Sequence, residues 1–328
     1  MLNNFIFTII ICILSTIANG GELVESGVNG SINWTEGIVY AKGMGPIDPA
    51  MANNPRGKLI ARRIAVVDCQ RNLLELVKGV RVTSTTLVRN LMIEKDTVQT
   101  TISGIIKNAE VVKENYDKEE GILYITMKMP FSGKFMDTVI EDKMLNTKNW
   151  SDIIPIMFSN FFPISEAFAA QNHDYDFKPD EKNTIKKIIK LFEINGYEKG
   201  IEKLNTLLLG FDKFDDYSGV VINALGISGF RPALCARLRQ KNGKVVYPGN
   251  LVKKRSASSS LFYSWNDNLE EAKGTKRVTH NPIIIKAEDI YKQQRSDLII
   301  SDENAKAILL MANGGNVLKK CRIVIVTK

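Results

Sequence analysis

The sequence predicts an α+β chain: a long helix packed on a small, mostly antiparallel sheet, then a helical middle segment, then a second α/β domain. Three observations predict it. In residues 55–82 the apolar side chains Ile60, Ile64, Val67, Leu74 and Val77 recur at three- and four-residue steps, widened by Leu59, Leu73 and Leu76 to the breadth of a core-facing helix. Runs of period two flank it, residues 34–44 before and residues 105–115 and 122–129 after, the last two joined by the polar turn 117–121 as an antiparallel hairpin. Near the end, residues 298–300, 303–312 and 322–327 read strand, helix, strand, an order that normally makes a right-handed crossover to a parallel strand. The 328 residues are enough for two domains of ordinary size, and the expected division is 1–20, 21–131, 132–212 and 213–328.

Residues 5–17 are an apolar run, shorter than the roughly 20 residues that span a bilayer, followed by the small residues Ala18 and Gly20. This predicts a cleaved signal peptide, with an uncleaved anchor as the alternative, and a periplasmic or outer-membrane-associated location. The n-region has no Lys or Arg, and Cys12 lies inside the apolar run without the small residue that precedes a lipidated cysteine. Residues 21–31 read as a flexible lead-in. In the strand 34–44, Trp34, Ile38 and Tyr40 share a side, and Gly43, Gly45 and Pro46 end it. Gly43-Met44-Gly45 lacks the third glycine of a dinucleotide-binding turn, so a plain turn is expected.

Pro55 suits a helix entry, and Gly79 sits where a helix leaves through a left-handed residue. Arg62, Arg63, Arg71 and Glu75 occupy the outer face, and Val80 and Val82 alternate with Arg81 and Thr83 as a following strand that continues to Asn90. Asp96 caps a short helix over residues 96–102. In 122–129, Leu123, Ile125, Met127 and Met129 oppose Tyr124, Thr126 and Lys128.

Ala61, Ala65, Asp68, Gln70, Arg71, Leu73, Val77, Gly79, Val80 and Val82 form the pattern A-x-x-x-A-x-x-D-x-Q-R-x-L-x-x-x-V-x-G-V-x-V, followed by Gly104, Ile105, Ile106 and the pair Val111-Val112. Over residues 34–131 this resembles the LPP-twenty lipoprotein family and the similar N-terminal domain of flagellar assembly protein T. The resemblance implies a small, non-enzymatic α/β module of the bacterial envelope, found in outer-membrane lipoproteins and around the flagellar basal body. The chain departs from the pattern in lacking a lipidation cysteine and in carrying Cys69 where the family usually has alanine. Asp68 and Arg71 are three apart and able to pair on the helix surface. They read as shape-holding residues, with a contact patch for a partner as the alternative.

The middle segment carries an aromatic apolar run at 150–162, broken by Pro155 and ended by Pro163, which reads as packing between domains or as a partner surface. The acidic run 173–181 places Asp174, Asp176 and Asp180 together but lacks the glycine turn and distal glutamate of a calcium loop. Residues 182–191 and 198–209 read as two helices split by Asn195-Gly196. In the last domain, 218–224 is a strand turned by Gly226 and Gly229, and 233–240 and 244–247 flank Asn242-Gly243, a hairpin turn in which both central residues need positive φ. Residues 217–249 also resemble a C-terminal region that accompanies the first module in longer envelope proteins. Residues 253–260, basic and then serine-rich, read as a solvated loop, with an anionic polymer contact as the alternative.

The mature chain keeps Cys69, Cys235 and Cys321, an odd number that suits buried small hydrophobes better than a disulfide framework. His173 and His280 belong to no nucleophile or metal arrangement, and no motif of a hydrolase, metalloprotease or phosphate-binding loop occurs. No catalytic, cofactor or metal residue is assigned, and a hydrolase with an unrecognised site has no support in the sequence. The net charge of +8 and pI near 9.1 favour anionic surfaces, and export makes nucleic acid an unsuitable partner. The sequence therefore predicts a non-enzymatic envelope protein with a structural or assembly role, binding protein partners or itself. A binding module for an anionic wall polymer is the alternative.

Overall fold

The computed structural model describes residues 21–51, 54–145, 217–314 and 317–328, with a few helical positions between 186 and 196. Its first sheet is entirely antiparallel, in the order β1-β2-β3-β5-β4, from β1 (Val24–Gly27), β2 (Gly30–Asn33), β3 (Ile38–Pro46), β4 (Glu110–Asp117) and β5 (Ile122–Pro130). The expected lead-in at 21–31 is thus a strand and most of a hairpin. The strand predicted over 34–44 begins later, because Trp34 turns inward and is almost fully buried, its ring 5.6 Å from Phe131 and 6.1 Å from Trp265. The hairpin β4–β5 forms as expected, its turn held by Asp117 Oδ1, which accepts the Glu119 and Glu120 N–H groups at 2.9 and 3.0 Å. Gly43 and Gly45 do not end β3. They stay within it because a helix lies directly on them: a Cβ on Gly43 would come within 2.3 Å of Ala65 O, and one on Gly45 within 2.0 Å of Ala61 O.

That helix is α1 (Pro55–Gly79), with Asn54 Oδ1 accepting the Arg56 N–H at 2.9 Å and Pro55 at its first position. Its sunken face is Gly57, Ala61, Ala65, Cys69, Leu73 and Val77, one residue every four. Small residues there let two backbones approach closely, while Leu59, Ile60, Ile64 and Val67, expected in the core, point to solvent. Gly79 is not left-handed either. The chain leaves through Val80 at φ −63 and ψ 129, whose N–H reaches Val77 O.

The strand expected from Val80 does not form. Residues 80–83 make one isolated bridge, Arg81 to Leu87, and then α2 (Val88–Glu94) and α3 (Asp96–Lys107) follow. Val80 and Val82 are buried because their extended backbone serves the distant half of the chain: Leu234 N–H donates to Arg81 O at 2.9 Å and Cys235 N–H to Val82 O at 2.8 Å. α3 runs past the predicted 102, burying Val98, Ile102 and Ile106, so β4 starts later than residue 105. Two short helices, α4 (Lys134–Val139) and α5 (Asp142–Leu145), then bury Phe135, Met136, Val139, Met144 and Leu145. Between them Glu141 accepts from Lys143 at 2.7 Å and from Lys95; these two hydrogen bonds hold its carboxyl below the usual range.

The C-terminal part holds two sheets. One is all parallel, β10-β6-β13-β9, from β6 (Gly219–Asn223), β9 (Ser264–Asn266), β10 (Pro282–Lys286) and β13 (Ile323–Val326). The other is β11-β12-β7-β8, from β7 (Arg237–Arg239), β8 (Val245–Tyr247), β11 (Asp289–Tyr291) and β12 (Gln294–Ile299), with only β12 and β7 parallel. The predicted strand–helix–strand unit is present as β12, α8 (Asp302–Gly314) and β13, but its strands lie in different sheets, so α8 carries the chain between sheets. The Asn242-Gly243 turn spans three residues rather than two: Gln240 N–H meets Lys244 O, Gly243 N–H meets Gln240 O, and of the two turn residues Gly243 alone has positive φ, at +90. The run expected as a loop at 253–260 is α6 (Lys254–Ser260), with Ala257 and Ser258 buried. A further short helix, α7 (Leu269–Gly274), packs on β9 and β13.

One hydrophobic core runs without a break from the first sheet into the C-terminal part. Trp34 against Trp265, Thr35 Oγ1 donating to Trp265 O at 2.6 Å, and Gly133 N–H donating to Ser258 O at 2.7 Å cross the seam. Within the helix expected at 182–191, Lys186, Ile189 and Lys190 are helical. The signal segment 1–20, the aromatic run 150–162, the acidic run 173–181 and the helix expected at 198–209 lie outside the described residues.

Candidate interaction surface

Because α1 packs through its small residues, its large ones form an outward strip. Ile60, Ile64 and Val67 are 47%, 44% and 55% exposed and Met44 on β3 is 51% exposed. With Arg63, Asp68 and Arg71 they line a shallow depression of about 490 Å³. Isolated exposed apolar residues need no explanation, whereas a contiguous set on one helix face makes this surface the candidate for an interaction.

The motif residues divide between support and surface. Ala61 and Ala65 lie beneath α1 against Gly45 and Gly43. Asp68 and Arg71 do not pair: Asp68 Oδ2 accepts the Met44 N–H at 3.0 Å, and neighbouring Asn72 donates from Nδ2 to Lys42 O at 2.8 Å. These bonds fall where β2 has ended, since its last partner on β3 is Ala41. Two helix side chains thus stand in for a missing strand, and Pro46, with no N–H to offer, ends the exposed edge. Gln70 Nε2 donates to Lys107 O at 3.2 Å, tying α1 to the end of α3. Gly79 is the exposed last residue of α1. Arg71 is exposed and, like Arg63, makes no ion pair among the described residues. Asn72 was not picked out from the sequence; only its place one turn after Asp68 hinted at it.

This division gives a direct expectation. Asp68→Ala should lower unfolding stability by about 1 kcal/mol, the net worth of a typical hydrogen bond, while Arg71→Ala stays within about 0.5 kcal/mol, as exposed substitutions do. Urea unfolding followed by circular dichroism measures both, and a large loss for Arg71→Ala would assign that side chain a structural part.

Two other concavities are edged by internal contacts. Between β1 and residues 229–232, a cleft of about 330 Å³ is bridged by Glu25, whose Oε2 accepts Trp34 Nε1–H at 3.1 Å and Arg81 Nη2–H at 2.7 Å, while Arg81 Nε–H reaches Pro232 O at 2.7 Å. That cleft is a joint between the two halves of the chain. On the opposite flank of α1, Arg62 clasps Glu114 through Nε at 3.0 Å and Nη2 at 2.6 Å, and Lys58 lies 5.9 Å from the Tyr116 ring centre.

Reactive groups are withdrawn from solvent. Cys69, Cys235 and Cys321 are free thiols, all buried. Burial pushes the Cys69 thiol up to about 11 and the Cys235 thiol to about 12, so neither is a thiolate near neutral pH. Among the described residues no group of three His, Cys, Asp or Glu side chains is placed to hold a metal ion, and no helix is long and apolar enough to cross a membrane.

Residues 219–328, which hold β6 to β13, match the family model described as the second domain of Treponema pallidum Tp0624. Comparison with curated proteins finds no match for the chain. The matched span thus covers the two C-terminal sheets and leaves α1 and its strip outside it.

Proposed function

We propose that this is a non-enzymatic protein of the bacterial cell envelope, exported through its signal segment, with a structural or assembly role exercised by docking a protein partner on the outward face of α1. The observation that supports it is the exposed strip of Ile60, Ile64 and Val67, with Met44 of β3 beside it, on a helix that packs through small residues on its other side. Fold stability makes little use of those side chains, and water does not favour them. A partner surface accounts for both. The resemblance of residues 34–131 to the LPP-twenty family and to the N-terminal domain of flagellar assembly protein T makes the surroundings of the basal body the first place to look.

The test is deletion of the gene, with envelope integrity, motility and basal-body images scored, followed by complementation. Wild-type protein should restore the strain, whereas an Ile64→Asp, Val67→Asp double variant, present at wild-type level and with an unchanged melting curve, should not. Full complementation by the double variant would overturn the docking face. Normal flagella and normal swimming in the deletion strain would remove the flagellar setting. Salt-sensitive sedimentation with wall material, undiminished in the double variant, would favour an anionic polymer as the ligand instead.

A further inference from the structure

We infer that the occupant of the α1 face is an acidic amphipathic segment of another protein, an inference that rests on the docking reading above and adds the chemistry of the partner. Ile60, Ile64 and Val67 follow the i, i+4, i+7 spacing of one helix stripe, about 10 Å long at 1.5 Å per residue. Arg63 and Arg71 flank it, eight residues and about 12 Å apart along the same axis. Three other charged groups on α1 have partners of their own. Arg62 is held by Glu114, Lys78 by Glu75, and Asp68 by the Met44 N–H. Arg63 and Arg71 are exposed and without an ion pair among the described residues, so the strip presents apolar contact edged by two positive charges against the single carboxylate of Asp68, a net positive rim.

Complementarity then specifies the other side. A helix laid along the strip needs apolar residues at i, i+3 or i+4 and i+7, with carboxylates two turns apart to meet Arg63 and Arg71. A second copy of this chain fits less well, because a two-fold contact through the same face would bring four arginines together with only the two Asp68 carboxylates, each already accepting the Met44 N–H. An anionic membrane fits less well than a helix, since a few exposed apolar residues and two arginines fall short of the long apolar face and Lys/Arg-rich polar face by which helices lie in a membrane.

The probe is a synthetic 18-residue helical peptide with leucines at those apolar positions and glutamates flanking them, compared with a peptide carrying lysine at every glutamate. Binding to the full chain is followed by fluorescence anisotropy at low and high salt. The glutamate peptide should bind at least tenfold more tightly than the lysine peptide, with an advantage that shrinks in salt. The Arg63→Glu, Arg71→Glu double variant should reverse the preference, and Ile64→Asp should weaken both peptides. Equal binding of the two peptides, or binding of neither, would overturn the inference. So would dimers in sedimentation that Ile64→Asp dissolves, stronger binding to phosphatidylglycerol vesicles than to the peptide, or a photo-cross-link from position 67 into residues 150–181 of the same chain. If Ile64→Asp, Val67→Asp fails to complement the deletion strain while Arg63→Glu, Arg71→Glu succeeds, the docking face stands and the acidic occupant falls.

Discussion

Leu73→Ala is expected to cost about 2–5 kcal/mol of unfolding free energy, whereas Ile64→Ala, nine residues earlier on the same helix, should change it by no more than about 0.5 kcal/mol. Leu73 has no exposed surface and belongs to the row Ala61, Ala65, Cys69, Leu73, Val77 that meets β3 and β5. Its neighbours toward the helix start are too small to fill the space its side chain would leave, and the glycine-paved strand cannot move closer. A cavity therefore remains, with the loss of both transfer and packing energy. Ile64 is 44% exposed, and its truncation leaves no enclosed cavity. Leu74 is half-buried at the margin of the core, so Leu74→Ala should fall between the two. Urea denaturation at neutral pH, read by circular dichroism, gives all three values. If Ile64→Ala cost as much as Leu73→Ala, the large apolar residues would be the packing face and the docking strip would not exist.

The same contrast shows what could be read in the amino-acid order and what could not. The start of α1 was legible because Pro55 acts locally, and the β4–β5 hairpin because alternation and an Asp-to-Gly turn are local signals. The packing face was legible only in its second half, at Leu73 and Val77; in the first half a stripe of large residues, Leu59, Ile60, Ile64 and Val67, runs beside small residues, Gly57, Ala61, Ala65 and Cys69, at strict steps of four. Hydropathy weighs the large residues more heavily. Distance of closest approach selects the small ones, and the clue lay on another element, where Gly43 and Gly45 alternate on the strand that receives Ala61 and Ala65. Val80 and Val82 misled for a related reason. Their alternation is real, but the carbonyls of Arg81 and Val82 accept from residues 234 and 235, far along the chain, while Val80 bonds locally to Val77 and Val88. Likewise β12, α8 and β13 were legible as elements, while their assignment to two sheets depends on contacts with β6 and β7 that order alone does not carry. Of the candidate surface, Asp68 and Arg71 could be named from the sequence. The capping of the β3 edge by Asp68 and Asn72 could not, because it depends on β2 stopping short.

In the C-terminal part, Asp297→Ala is expected to destabilise the fold by about 3–5 kcal/mol, the cost of leaving a buried charge without its partner. Asp297 is fully buried and its Oδ2 accepts Arg239 Nε–H at 2.6 Å. The same guanidinium donates from Nη1 to Gly243 O at 2.8 Å and lies 4.8 Å from the centre of the Tyr291 ring. One arginine therefore joins β12, the turn between β7 and β8, and β11, and removing the carboxylate leaves its charge stranded among them. Yet the pair is incompletely satisfied, because the Asp297 Oδ1 atom has no hydrogen-bond partner among the described residues. Its desolvation is thus only partly offset, and an apolar replacement of both residues avoids that cost altogether. The Arg239→Met, Asp297→Leu double variant should recover most of the stability lost in Asp297→Ala, measured as urea midpoints under the same conditions. Recovery would mean that the ion pair selects which strands and turn meet in this sheet more than it adds net stability. A double variant as unstable as the single one would instead make the bond to Gly243 and the contact with Tyr291 the larger contributions, since those are what the methionine cannot replace.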